Sequence, residues 1–364
     1  MIARRFILAG AAFLACSAPA FAQLQIESKD GKASMKLGFL LQAQGEALEM
    51  PDGEGTSQNL FLRRFRILFG GKVAEKWLFF FETDSPNIGK TDPDTEANPT
   101  GAKGSSDVYI QDAFLTYDHA DAFKVDAGMM LFPLSHNHIQ SAATLLPVDY
   151  GPYSFLESTA AGERVGRDYG VQVRGYPFGK KLEYRLGVFQ GVRGPGAQNA
   201  FRTSGRLVWY PFEAETGFFY GGTYHGTKKI LAIGASYDVQ KDYALYGADV
   251  FWDWPIAGGQ QGITIQADYT SIDGGTFMTS LAKQTAGLVE LGYHFGKGRF
   301  SPFVQYAARD FDDAATADQD VAGVGFAWWM KGHQRSLKAS AARISTDGLP
   351  DRNQFLIQLQ LFQF

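Results

Sequence analysis

The chain reads as all-β, a closed transmembrane antiparallel barrel of sixteen strands, with eighteen the alternative count. Three observations lead there. Segments of about eight to thirteen residues with alternating apolar and polar side chains recur along the chain, separated by Gly, Pro, Asp and Asn clusters. Many run about nine to eleven residues, the length that crosses a bilayer at a tilt. Aromatics gather near segment ends, at Tyr117, Tyr176, Phe178, Tyr210, Phe212, Trp252, Trp254, Phe295, Trp328 and Trp329, where interfacial girdles lie. A soluble sandwich or propeller is the competing reading, because its composition averages would be similar.

The first residues read as an export signal spanning residues 1–22. Arg4 and Arg5 precede an apolar stretch from Phe6 to Cys16, and Ala20-Phe21-Ala22 offers a small-x-small cleavage site. A lipoprotein cysteine at Cys16 and a twin-arginine signal at Arg4-Arg5 fit less well. The apolar run is too short to span a membrane as a helix. Cleavage after Ala22 removes the only cysteine, which excludes a disulfide-stapled domain, a cysteine nucleophile and a cysteine metal ligand. It also takes lysine plus arginine from 34 to 32 against 38 acids, a net charge of −6 (32 − 38). That balance points away from nucleic acid. Residues 23–364 then form one barrel domain, with no apolar run long enough for a helical span.

Along that domain, Met35, Leu37, Phe39, Leu41 and Ala43 alternate with Lys36, Gly38, Gln42 and Gln44. Phe61, Phe65, Ile67 and Phe69 alternate with Arg64 and Arg66. Further on, Ala248, Val250, Trp252 and Trp254 alternate with Gly247, Asp249 and Asp253, and Ile263, Ile265, Ala267 and Tyr269 with Thr264, Gln266, Asp268 and Thr270. Short connections are expected at Gly70 to Lys76, Asp118 to Ala122, Pro177 to Lys181, Pro211 to Thr216 and Gly296 to Arg299. Long ones are expected at Glu46 to Asn59, Ser85 to Asp107, Leu131 to Arg167, Asp273 to Lys283 and Phe311 to Gln319. Short periplasmic turns and long outer loops are the barrel habit. The pattern yields seventeen segments where an even number is needed, and Gly217 to Asp238 is the doubtful region. The closing strand, Asn353 to Phe364, carries Phe362 and Phe364 in the pattern of an outer-membrane assembly signal. Ile357, Leu359 and Leu361 alternate in the opposite phase, which calls for a bulge or a mixed face.

The organising stretch is Phe123 to Gly191: strand, long irregular segment, two strands. The segment from Leu131 to Arg167 is too long for an idle loop in a compact domain, and folding inward to narrow a water-filled lumen gives it a role. It carries His136, His138, Asp149, Glu157, Glu163, Arg164 and Arg167. On polar strand phases stand Arg64, Arg66, Arg174, Arg185, Arg202 and Arg206, guanidinium groups suited to attracting anions at a constriction. The alternative is that they pair with Glu183, Asp112, Asp249, Asp268 and Glu290 to stiffen the wall.

Other constellations read blandly. His136-x-His138 lacks an identifiable third metal ligand. The acid-rich loops Asp92 to Glu96 and Asp310 to Asp320 suit solvation, or divalent bridging to lipopolysaccharide, as well as calcium. Gly234-Ala235-Ser236 lacks the second glycine of a nucleophile elbow. No phosphate-cradling loop, zinc motif or dinucleotide fingerprint occurs, so no cofactor and no enzymatic activity are expected.

Several stretches resemble the phosphate-selective porin O and P family, in the family's order. They are Phe61-Leu62-Arg63-Arg64-Phe65-Arg66, Asp112-Ala113-Phe114-Leu115-Thr116-Tyr117, Arg167-Asp168-Tyr169-Gly170-Val171-Gln172, Tyr184-Arg185-Leu186-Gly187-Val188-Phe189-Gln190-Gly191 and the closing strand. The resemblance implies a sixteen-stranded, trimeric outer-membrane barrel with its third loop inside, lumen arginines and passive uptake of small, often anionic, solutes. It also implies that Arg63 and Arg64 lie together near the constriction, whereas strand phase turns Arg64 and Arg66 inward and Arg63 outward. Unlike a dedicated phosphate trap, the inward loop holds no lysine. The expected function is a water-filled outer-membrane channel for small hydrophilic solutes, anion-preferring. Its expected partners are those solutes, membrane lipid, lipopolysaccharide, the barrel assembly machinery and two further copies of itself. A soluble exported β-protein that binds carbohydrate, and an outer-membrane barrel enzyme, are the alternatives.

Overall fold

The computed structural model describes residues 24–364 apart from 52, 54, 92–102 and 105. The export signal and Asp92 to Glu96 lie outside the described residues. In chain order the strands are β1 (Leu24–Glu27), β2 (Ser34–Glu49), β3 (Thr56–Ala74), β4 (Trp77–Asp84), β5 (Tyr109–Ala120), β6 (Phe123–Leu131), β7 (Arg167–Gly175), β8 (Leu182–Phe189) and β9 (Arg202–Trp209). They continue as β10 (Ile230–Gln240), β11 (Tyr243–Ile256), β12 (Gln261–Asp273), β13 (Gln284–His294), β14 (Phe300–Phe311), β15 (Gln319–His333), β16 (Arg335–Thr346) and β17 (Arg352–Gln363). Strands β2 to β17 pair antiparallel with their chain neighbours, and β17 pairs with β2 from Gln354↔Leu48 to Gln363↔Phe39. The result is a closed barrel of sixteen strands. Closure leaves no edge, so every strand backbone group can be satisfied within lipid.

The extra strand, β1, was not apparent in the sequence pattern. It pairs with the start of β2 from Leu24↔Leu37 to Glu27↔Ser34, prolonging the wall beyond the end of β17.

Alternation decides which side chain meets which medium. On β7 to β9 the outward Tyr169, Val171, Leu186, Val188, Leu207 and Trp209 are each about half exposed, while Gln172, Arg174, Glu183, Arg185, Ser204 and Arg206 are buried inside. A continuous apolar exterior around a polar interior suits lipid, and a soluble β-domain would show the reverse. The soluble alternative fails on that point.

Three expectations about connections need correction. The Glu46 to Asn59 loop is a six-residue turn at 50–55, because alternation continues through Glu46 and Leu48 in a 16-residue β2 and through the 19-residue β3. The short turn expected at Pro211 to Thr216 is instead part of a connection spanning 210–229. The segment thought to be strand within Gly217 to Asp238 begins only at Ile230, because Phe218, Phe219, Tyr220 and Tyr224 pack inside the barrel. The matching outer connection, between β10 and β11, is only Lys241-Asp242. Loop lengths are thus reversed at this one place, the long segment lying on the side of the short turns.

The C-terminal strand runs without a bulge, so the mixed face is the realised option. Phe362 and Phe364 point into the mouth on the short-turn side. Phe362 packs near Leu40 and Leu68, and the Phe364 ring lies 5.8 Å from that of Phe80. Glycines make this possible: a Cβ on Gly70 would stand 2.8 Å from the Phe364 ring, and one on Gly38 would collide with Gln363 and Phe364.

Candidate functional site: the lumen constriction

The segment between β6 and β7 leaves the wall after Leu131 and returns at Arg167, as its irregular sequence requires. It contains two short helices, α1 (His136–Ile139) and α2 (Leu156–Ala161). Ser135 caps α1, its side chain accepting from the His138 N–H at 3.2 Å. Beyond α1 the chain crosses the lumen and fastens by its backbone carbonyls to the far wall. Gln42 donates to Ala142 O (3.1 Å), Gln360 to Ala143 O (2.8 Å), Lys338 to Leu145 O and Pro147 O, and Gln358 to Val148 O (3.2 Å). These wall groups sit on the inward phases of β2, β16 and β17. Such anchoring gives a fixed partition of the lumen, since each buried carbonyl finds a donor.

The 210–229 segment folds in from the other side and joins this loop edge to edge. Ser141 N donates to Tyr220 O at 3.0 Å and Tyr220 N to Ile139 O at 3.2 Å. His136, fully buried, lies between the rings of Tyr220 (centroids 4.9 Å) and Phe251 (4.0 Å), with Nε2 2.8 Å from Glu215. Burial disfavours ionised Glu215, but His136 and the Tyr224 hydroxyl hold its carboxyl below the usual range. His138 turns elsewhere, 3.3 Å from Glu157 and against the Phe132 and Phe155 rings. The two histidines do not converge, and no group of three metal-ligating side chains occurs among the described residues.

The arginines fall into two sets. Arg174 bonds Asp126 (2.7 Å), Arg185 bonds Glu183 (2.6 Å), Arg206 bonds Asp249 (2.7 Å), and Arg202 bonds both Asp238 (2.7 Å) and Glu163. All four are buried. Phe218 and Tyr220 of the infolded segment and Phe132 of the crossing loop lie over their guanidinium planes, Phe132 at 3.9 Å from that of Arg202. Arg185 also donates to Phe218 O and Gly217 O. Charge on this wall is therefore neutralised by carboxylates and covered by aromatic rings.

The second set faces an open vestibule of about 720 Å³ bounded by β2 to β5, the crossing loop and β14 to β17. A bulge on β3 shapes it. The ladder to β2 passes from Gln42↔Arg64 to Ala43↔Leu62, leaving Arg63 as the extra residue. Both Arg63 and Arg64 consequently turn inward, and both bond Asp149 of the crossing loop at 2.6 Å. Strand phase alone pointed Arg63 outward and missed this. Burial disfavours the Asp149 carboxylate, but the two guanidinium groups hold it well below the ordinary carboxylate range. Two cations on one ionised carboxylate leave one net positive charge. Arg63 uses only Nε in this pair and its side chain is a quarter exposed, whereas Arg64 also donates to Gln42 and is buried.

Around them, Lys90 pairs with Glu46 at 2.8 Å, and Arg164 lies exposed with its guanidinium 3.3 Å over the Tyr109 ring. Arg66 is buried between Glu82 and Asp84, and Arg167 against Asp112. A second bulge, at Gln111, turns both Gln111 and Asp112 inward.

Comparison with known proteins agrees with this architecture. The description "Phosphate-selective porin O and P" matches residues 35–229, more than half of the chain, including β3, the crossing loop and the infolded segment. No curated protein matches the chain by sequence. An anion-selective porin from Comamonas acidovorans superposes with a TM-score of 0.60 at 13% identity, over 91% of this chain and 100% of that one. The outer membrane channel DcaP of Acinetobacter baumannii gives 0.59 at 13% identity, over 93% and 99% of the two chains. The outer membrane protein OmpT of Vibrio cholerae, in its trimer form, gives 0.54 at 10% identity, over 91% and 100%. Likeness at such identities concerns the fold, while the sequence match carries kinship. The chain belongs to the phosphate-selective porin O and P family, and is a channel-forming porin of the bacterial outer membrane.

Proposed function

We propose that this porin passes small anions in preference to cations, and that Arg63 and Arg64 set the preference. The observation that carries the reading is the shared carboxylate: two guanidinium groups on Asp149 at the vestibule wall leave a net positive charge in water. Solutes pass the outer loops, are filtered by size and charge where the crossing loop partitions the lumen, and diffuse down their gradient. Arg164 adds a further cation, and Asp149 and Glu163 temper the field. Arg174, Arg185, Arg202 and Arg206 act chiefly as braces, as do His136, His138, Glu157 and Arg167. Arg66, with two carboxylates, contributes no positive field.

The same reading takes residues 1–22 as a cleaved export signal and Phe362 and Phe364 as contacts for the assembly machinery. It takes the apolar exterior as the surface for lipid and lipopolysaccharide, and three copies as the assembly, the trimer being a form of the Vibrio cholerae relative in fold. Zero-current potentials of the refolded protein in a planar bilayer, under a potassium chloride gradient, test the selectivity. Wild type should give an anion-selective potential, and Arg63→Gln/Arg64→Gln a markedly weaker one. An unchanged potential in the double variant would remove these residues from the account.

A further inference from the structure

One level of the barrel interior departs from the rule that the inward positions of a pore are polar. Toward the short turns, the inward side chain changes from Gln360 to Phe362 on β17, from Gln42 to Leu40 on β2 and from Arg66 to Leu68 on β3. It changes from Glu82 to Phe80 on β4 and from Asp112 to Phe114 on β5. Each change is one step of two residues, about 7 Å along the strand. These five strands are consecutive neighbours in the wall, so the apolar positions form a belt on the short-turn side of the arginines.

Both infolded segments close on that belt. Ala142 and Ala143 of the crossing loop pack with Leu40 and Leu68, and Phe80 and Phe362 lie against the same cluster. From 210–229, the Phe218 ring lies 4.4 Å from that of Phe114, and the Phe219 ring 5.4 Å from that of Phe80. The vestibule reaches Arg64 and Arg66, but none of the five apolar wall side chains lines it. Its open volume therefore ends at the arginine level. Arg185 holds the Phe218 and Gly217 carbonyls, whereas the Phe219 side chain meets the belt by ring packing and can turn away without breaking a hydrogen bond.

We infer that the belt and the Phe218–Phe219 tip form a hydrophobic gate, a second barrier on the conducting path. Water leaves a narrow apolar constriction, and an ion must then shed hydration to cross it. The gate is dry and shut while the rings lie on the belt, and it wets when they turn away. Charge preference and gating thus belong to different residues, one level apart, and the gate stands whether or not Arg63 and Arg64 set the preference.

Single-channel recording in planar bilayers tests this with two side chains of similar size at one position. Wild type should open in brief events from a closed baseline. Phe219→Gln should raise the open fraction roughly fivefold, equivalent to about 1 kcal/mol, while Phe219→Leu changes it far less and the zero-current potential stays that of wild type in both. Leu68→Asn, placed on the wall itself, should raise the open fraction as Phe219→Gln does, with the gel shift on heating as the check on folding. Steady conduction by wild type overturns the inference. Equal rises in the Gln and Leu variants would mean that the ring only fills space, and an unchanged open fraction in both Phe219→Gln and Leu68→Asn would put the belt off the path; either result overturns it.

Discussion

Asp149→Asn is the sharpest test of how charge acts in this lumen, because it changes one charge and little else. The carboxylate holds Arg63 and Arg64 at 2.6 Å each, and the amide keeps its shape. Local charge rises from one positive unit to two. A unit charge acting about 6 Å away in water is worth ~0.7 kcal/mol, which screening at 0.1 M salt reduces to ~0.4 kcal/mol. That figure corresponds to roughly twofold more anion and roughly twofold less cation, so the permeability ratio should rise roughly fourfold toward anions. At 1 M salt the Debye length is about 3 Å and the gain should fall below about 1.5-fold.

Zero-current potentials at both salt concentrations measure this directly, with the gel shift on heating as a control for folding. Arg64 retains its 2.8 Å bond to Gln42 in the variant, which favours an intact wall. A ratio that stays constant or moves toward cations refutes the shared-carboxylate argument. A rise of equal size at both salt concentrations refutes its electrostatic cause.

Two further predictions concern the infolded 210–229 segment. Replacing 213–228 by a short Gly-Ser turn should raise single-channel conductance, because Phe218, Phe219 and Tyr220 leave the lumen; unchanged conductance would place that segment off the conducting path. Burial pushes the His225 imidazole down to about 2, against the neighbouring His333, His294 and Lys338. A pKa lowered below its unfolded value near 6.5 means that the unfolded chain binds the extra proton, so stability is full above pH 6.5 and declines below it, by ~2 kcal/mol at pH 5. The temperature of the gel shift should therefore fall between pH 7 and pH 5, and less steeply in His225→Gln; equal slopes would exclude His225 as the cause.

Much of this fold was legible because period-two alternation is a local signal. Met35 to Ala43, Ala248 to Trp254 and Ile263 to Thr270 need no distant partner to declare two faces, and Leu131 to Arg167 declares itself by lacking alternation. What stayed hidden depends on contacts remote in sequence. The Arg63 bulge is a mismatch between β3 and β2, and neither strand shows it alone. Phe218 to Tyr224 reads as a strand because aromatic-rich runs favour strands. The Tyr220 bonds to Ile139 and Ser141 override that propensity with an edge made by a loop eighty residues earlier. Lys338 gripping the Leu145 and Pro147 carbonyls was invisible for the same reason.

The charge pattern makes the physical point most clearly. By sequence the exported chain is a net acid, which taken alone argues for cations in the pore. Folding removes much of that charge from account: Arg174, Arg185 and Arg206 each face a carboxylate at bonding distance inside the wall, and such pairs have little field beyond their own dimensions. Acids on outer loops, such as Asp312, Asp313 and Asp318 between β14 and β15, act from the rim and are screened within a Debye length. What an ion meets is the small residue left after pairing. In the proposed reading the part of it that favours anions is set by stoichiometry at Asp149, one carboxylate between two guanidinium groups, which a single bulge allows by letting adjacent residues of β3 face the same way. On that reading selectivity is a property of register, which is why counting arginines on polar phases found the wall braces as readily as the proposed filter.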